Sequence, residues 1–210
     1  MIYAENILLC IAVPLLLSML FIRGAARRFV LAFVAGMLVC LLAAYLSGYL
    51  HYLLDWTEED VRIFLSPVVE ELMKLLPLLM LLLLLNPGDE ELLLLAVGLG
   101  AGFATFENSC SLLSGAVSSL PYVIVRGLAV GVMHIVSVAA LSVGIITAKR
   151  LRAFSPAALV GAFSLSVIFH GLYNLLVSAP GLSSHIGYAL PLLGAVALYL
   201  PYRKLRGEAG

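Results

Sequence analysis

Apolar runs long enough to cross a bilayer recur along the whole of this 210-residue chain, and that pattern leaves few folds available. A helix needs about 20 largely apolar residues to span the hydrocarbon core. Segments near that length fall at about 6–22, 29–52, 65–85, 92–114, 121–148, 157–178 and 184–201. Hydrophobic residues make up 63% of the chain and charged residues 11%, which excludes a soluble core. The expected fold is all-α, a polytopic membrane helix bundle of about seven transmembrane helices. The links are short and chemically marked: Arg23 to Arg28, the acidic stretch Asp55 to Asp60, Asn86-Pro-Gly-Asp89, Gly115 to Pro121, Lys149 to Pro156, and Ala179-Pro-Gly181. They favour antiparallel neighbours within a single domain, 1–210. The first run has no basic stretch before it and no small-residue cleavage site after it, so it reads as a retained span. Cys10, Cys40 and Cys110 are widely separated in apolar runs and read as small packing residues.

Basic residues orient the bundle. If seven spans alternate, Arg23, Arg27, Arg28, Lys149, Arg150, Arg152, Arg203, Lys204 and Arg206 share one side, against Arg62 alone in a loop on the other. The expectation is a multi-pass protein of the cell membrane with its N-terminus outside and its C-terminus in the cytoplasm. Asp55 to Asp60 then form an acidic outer rim, on a short interfacial helix anchored by Trp56.

The residues that constrain function are those least suited to lipid. Glu70, Glu71 and Lys74 lie in the third span, Glu107 and Asn108 in the fourth, Arg126 and His134 in the fifth, His170 and Asn174 in the sixth. A charge at the bilayer centre costs about 2.5 to 3.5 kcal/mol on insertion scales, so such groups need pairing, water or a function. Each has a bland reading: an ion pair for Glu70 with Lys74, an interhelical strut for His134, glue for His170 with Asn174, a snorkelling Arg126. Their conjunction on consecutive helices argues for a shared site. At about 1.5 Å of rise per residue, Glu70 lies roughly 8 Å, and Glu107 and His170 roughly 10 to 12 Å, below the outer ends of their spans. Glu70 and Lys74 are spaced i, i+4, and Glu71 and Lys74 i, i+3, so one glutamate is open to local neutralisation while its neighbour, about 100° away, faces a cavity. Gly98, Gly100 and Gly102 give the fourth span a small-residue surface suited to close helix approach.

At these residues the chain resembles the PrsW-like intramembrane proteases, in a superfamily with CAAX prenyl-protein endopeptidases, bacteriocin-processing proteins and the gamma-secretase subunit APH-1. The resemblance covers a core of about 65–178. It rests on Glu70-Glu-Leu-Met-Lys74, on Phe103-Ala-Thr-Phe-Glu107 followed by Asn108, on the solitary His134, and on His170-Gly-Leu-Tyr-Asn174. Prenyl-protein endopeptidases usually carry histidine where this chain has Glu107, which favours the PrsW branch. The resemblance implies hydrolysis of a peptide bond in or near the membrane, with a membrane-anchored, anti-sigma-factor-like protein as substrate.

Residue types point the same way. No serine, cysteine or threonine is obviously placed beside a histidine, whereas glutamates and histidines abound, so water is the expected nucleophile. Glu70 is the expected general base, Glu71 is held by Lys74 or Arg126, and His170 with Asn174 suit oxyanion stabilisation. His134 or Glu107 positions water or binds a metal. Phe103, Asn108, Lys74 and Arg126 support the site. Glu70, His134 and His170 suit a zinc ion, but they lack His-Glu-x-x-His spacing, and a metal-free glutamate mechanism is equally consistent with the residues. The expected partners are a membrane-anchored protein substrate and the bilayer, with no nucleic acid. Two readings compete with the protease: a proton-coupled transporter, which predicts repeat symmetry that is not seen, and an inactive APH-1-like scaffold, which does not explain two retained glutamates.

Overall fold

A computed structural model describes residues 3–115, 119–152 and 155–207, the side chains of 201, 202 and 204–207 excepted. Parts of two expected links, 116–118 and 153–154, lie outside the described residues. Most of the described residues are helical, and each expected apolar segment coincides with a helix. These are α1 (Ala4–Ser18), α2 (Gly24–Leu54), the single turn α3 (Glu58–Asp60), α4 (Ser66–Leu85), α5 (Asp89–Leu113), α6 (Leu120–Arg150), α7 (Pro156–Ser178) and α8 (Leu182–Gly207). Five are long and apolar enough to cross a membrane: α2, α5, α6, α7 and the Leu182–Leu200 part of α8. Helix α1 is short, at 15 residues. Helix α4 has 20 residues but carries Glu70, Glu71 and Lys74. The chain is thus a membrane protein with several spans.

Local chemistry sets the ends. Asp55 and Asn86 close α2 and α4 in the left-handed conformation, a common way to stop a helix. Thr57 accepts a hydrogen bond from the Asp60 amide and Ser155 one from the Ala158 amide, each capping the helix that follows. The acidic stretch does not form a separate interfacial helix. Its last turn, α3, continues through a π-helical turn, Val61–Leu65, directly into α4.

Two apolar clusters frame the interior. One joins Leu75, Leu78 and Leu82 of α4 to Leu92, Ala96 and Leu99 of α5 and Val138, Leu141 and Ile145 of α6. The other joins Met37, Cys40 and Leu41 of α2 to Val69 of α4 and Phe103 and Phe106 of α5. Helices α2 and α5 meet backbone to backbone: a Cβ on Gly36 would lie 2.1 Å from the Leu99 carbonyl oxygen, and one on Gly102 only 1.9 Å from that of Phe33. Gly98 and Gly102 of α5 therefore pack on α2, while Gly100 faces α6, where a Cβ would lie 2.7 Å from the His134 carbonyl oxygen. At the arginine-rich end, Arg28 pairs with Glu91 at 2.8 Å and Arg150 with Asp89 at 2.7 Å, so the starts of α2 and α5 and the end of α6 sit together.

Candidate active site

Helical spacing gathers the polar groups onto facing stripes. On α6, Arg126, Val130, Met133, His134 and Ser137 follow the three- and four-residue steps of one helix face. On α7, Ser166, His170, Tyr173 and Asn174 do the same, as do Ser66 and Glu70 on α4 and Phe103 and Glu107 on α5. Together these four helices, Arg62 and Tyr188 of α8 line a pocket of about 330 Å³ that contains Glu70, Glu107, Arg126, His134, His170 and Asn174.

The two adjacent glutamates part company. Glu71 is fully buried, and its Oε1 accepts from Lys74 Nζ at 2.7 Å, His170 Nδ1 at 2.8 Å and Ser137 Oγ at 3.2 Å. Lys74 is equally buried and makes its second contact with His134 Nδ1 at 2.7 Å. The i, i+3 pairing is the one realised, and Arg126 serves another acid, Glu107, at 3.0 Å. Glu70 turns instead to the pocket. Its Oε2 is buried without a hydrogen-bond partner and lies 3.8 Å from His170 Nε2. It is the pocket carboxylate left with an oxygen to act.

The histidines are held from behind. His170 has Nδ1 fixed by Glu71, so Nε2 faces Glu70. His134 lies between Lys74 at Nδ1 and Glu107 Oε2, 2.5 Å from its Nε2. The two imidazoles meet edge to face with centroids 5.1 Å apart. Phe103 explains its place four residues before Glu107. Its ring lies 4.7 Å from that of His134 and beneath the Lys74 ammonium, 4.2 Å away, giving a buried cation an aromatic face in place of water.

Ligand atoms of Glu70, His134 and His170 all fall within 4.8 Å of one another. Two imidazoles and a carboxylate are the donor set of a three-ligand catalytic zinc, with a position left for water. The Glu71 carboxylate on His170 Nδ1 is the outer-shell partner that such a histidine usually has. The orphaned Glu70 Oε2 also fits a cation. Two conditions attach to His134: to present Nε2 to a metal it must give up Glu107 Oε2, and it must donate from Nδ1 to Lys74 as a neutral amine, the reverse of an ammonium contact.

Some expected residues are placed differently. Asn174 borders the pocket, but its amide donates to the Arg62 carbonyl at 2.9 Å. That carbonyl sits in the π-helical turn, where its partner five residues on would be Pro67, which has no N–H. Asn108 is absent from the pocket lining, and its side-chain oxygen is buried without a protein partner. Five contributors escaped sequence reasoning. Ser137 braces Glu71, Ser166 donates to the Ser137 carbonyl at 2.5 Å, and Tyr122 and Tyr188 join Tyr173 in the pocket wall. Serine and tyrosine are ordinary in membrane helices, so only their positions at helical steps from His134 and His170 mark Ser137, Ser166 and Tyr173.

Among known families, the model described as PrsW family intramembrane metalloprotease matches residues 24–200. No curated protein and no solved structure matches the chain.

Proposed function

Since the chain belongs to the PrsW family of intramembrane metalloproteases and is thus a protease, we propose that it is an endopeptidase for membrane-anchored, anti-sigma-factor-like proteins, cutting with water activated at Glu70. One observation carries this reading. Glu70 keeps an unpartnered oxygen in a pocket shared with two histidines, while Glu71 is immobilised behind it.

Glu70, His134 and His170 are the residues that would hold a zinc ion. When bound, such an ion polarises a carbonyl and makes water more acidic. The chain's own groups do the rest. With no ion ligated at Glu70, its Oε2 receives the proton of the attacking water and returns it to the leaving amine, since it lies in the pocket free of other hydrogen bonds; a Glu70 that held the ion would leave this role to another group. Glu71, Lys74 and Ser137 fix the His170 ring so that Nε2 faces the reacting centre. Arg126 holds Glu107 in place and brings positive charge to the wall facing the developing oxyanion. Asn174 is a positioning residue, tying the π-helical turn to α7 beside His170. The pocket opens at the end opposite Arg28 and Arg150, which the distribution of basic residues assigns to the extracytoplasmic side.

Reconstitution with a panel of single-span proteins tests the assignment. The parent chain should release defined fragments, and Glu70→Gln and His170→Ala should reduce release by at least about a hundredfold while melting near the parent. Full activity in either variant sinks the proposal. Metal analysis tests the ligand set: zinc retained by the parent after desalting should be absent from His134→Ala and His170→Ala.

A further inference from the structure

At the arginine-rich end, remote from the candidate active site, a second and larger cavity of about 860 Å³ opens between α5, α6 and α8. Its walls are ordered by polarity along the membrane normal. The rim holds Arg28, Asp89, Glu90, Glu91 and Arg150, two cations and three acids at the helix ends. Below the rim the lining becomes apolar: Leu93, Leu94 and Val97 on α5, Val143, Ala139 and Val136 on α6, Leu198 on α8. Val143 and Ala139 precede Arg150 by seven and eleven residues, so they lie about 10 and 16 Å below it. The hydrocarbon of one leaflet is about 15 Å deep. The cavity therefore has headgroup chemistry at headgroup depth and acyl-chain chemistry through the leaflet beneath.

We infer that this cavity binds a phospholipid with a zwitterionic, primary-ammonium headgroup, of the phosphatidylethanolamine class. Both halves of that headgroup find partners. Arg28 and Arg150 present guanidinium groups to the phosphate, and Asp89 and Glu91 present carboxylates to the ammonium. The existing Arg28–Glu91 and Arg150–Asp89 pairs hold these groups in place, half-exposed and able to take a further partner. An anionic headgroup such as phosphatidylglycerol offers the phosphate but no ammonium for Asp89 and Glu91. A quaternary ammonium has no N–H to donate to the carboxylates, so phosphatidylcholine is the weaker ligand. A substrate helix would satisfy the apolar wall but not a rim of mixed charge.

Native mass spectrometry of the full-length protein tests the inference, after extraction from vesicles of equimolar phosphatidylethanolamine, phosphatidylglycerol and phosphatidylcholine. Phosphatidylethanolamine should be retained about tenfold over either competitor, equivalent to about 1.4 kcal/mol. The Asp89→Asn/Glu91→Gln pair should erase that preference, and Val97→Phe, which fills the cavity from one wall, should lower retention of all three lipids. Equal retention of the three lipids by the parent chain overturns the proposal. So does a preference for phosphatidylglycerol, or a preference unchanged in both variants. Because the charge variant preserves side-chain shape, it keeps the test decisive if Val97→Phe does not fold. Binding is read without proteolysis, so the outcome is independent of the proposed activity.

Discussion

Lys74 has no solvent exposure, and its ammonium touches the Glu71 carboxylate, the His134 ring nitrogen and the face of Phe103. Removing one member of a buried pair leaves an uncompensated charge, so Lys74→Met should cost about 3 to 5 kcal/mol. Denaturant unfolding in detergent micelles measures it, and a loss below about 1 kcal/mol, the range of an exposed pair, would show that Lys74 is not needed to neutralise Glu71. That Lys74 pairs with one of the two glutamates was legible from the i, i+3 and i, i+4 spacing; which of them was left open by the sequence, and the structure pairs it with Glu71. The partner of Arg126 was not legible, since Glu71 and Glu107 were both compatible with the sequence and only the packing of α5 on α6 chooses Glu107. The Asn174 contact was further out of reach. It depends on a carbonyl exposed by a π-helical turn and by the missing N–H of Pro67, and spacing reveals neither.

Helix positions were readable because apolar length and Pro, Gly and Asn punctuation set them. Helix partners were not. The glycines of α5 announced a close approach, yet only the fold places Gly102 against the Phe33 carbonyl of α2. A methyl group there has no room, and α5 also carries Phe103 and Glu107. Gly102→Ala should therefore destabilise the bundle by about 1 to 3 kcal/mol, the usual cost of overpacking, and weaken proteolysis in parallel. Gly48 supplies the contrast. It lies inside α2, in its last third, and a Cβ there meets nothing within 4 Å. Gly48→Ala should raise stability by about 0.4 to 1 kcal/mol by restricting the unfolded chain. Thermal unfolding of the two variants side by side checks both signs, and equal effects would contradict the α2–α5 contact.

Across the molecule, charge is sorted by height. Arg28, Asp89, Glu91 and Arg150 form one belt, while Arg62 and Arg126 lie at the pocket's end. The orientation read from the basic loops is expected to place the belt in the cytoplasm. Reporter fusions at Arg27 and at Arg150 should both report cytoplasmic, and a fusion at Asp55 extracytoplasmic. A split between the first two would overturn the antiparallel count of spans. The number of crossings is the least legible property at this scale, because α1 is short and α4 trades apolarity for its three charges. Both follow from position: α1 packs at the margin with only Ala12 buried, and α4 carries the site.

The wide turn at Val61–Leu65 also governs which changes of length the chain can absorb. A π-helical turn holds one residue more than an α-turn, so losing one there heals the helix without rotating what flanks it. Phe64 and Leu72 are both exposed large hydrophobics, and neither is a cornerstone of packing. Deleting Phe64 should keep Glu70, Glu71 and Lys74 in register and so retain proteolysis, lowered by the loss of the Asn174 tie. Deleting Leu72 brings Lys74 one position closer in sequence to Glu71, swings it about 100° around the helix and should abolish activity.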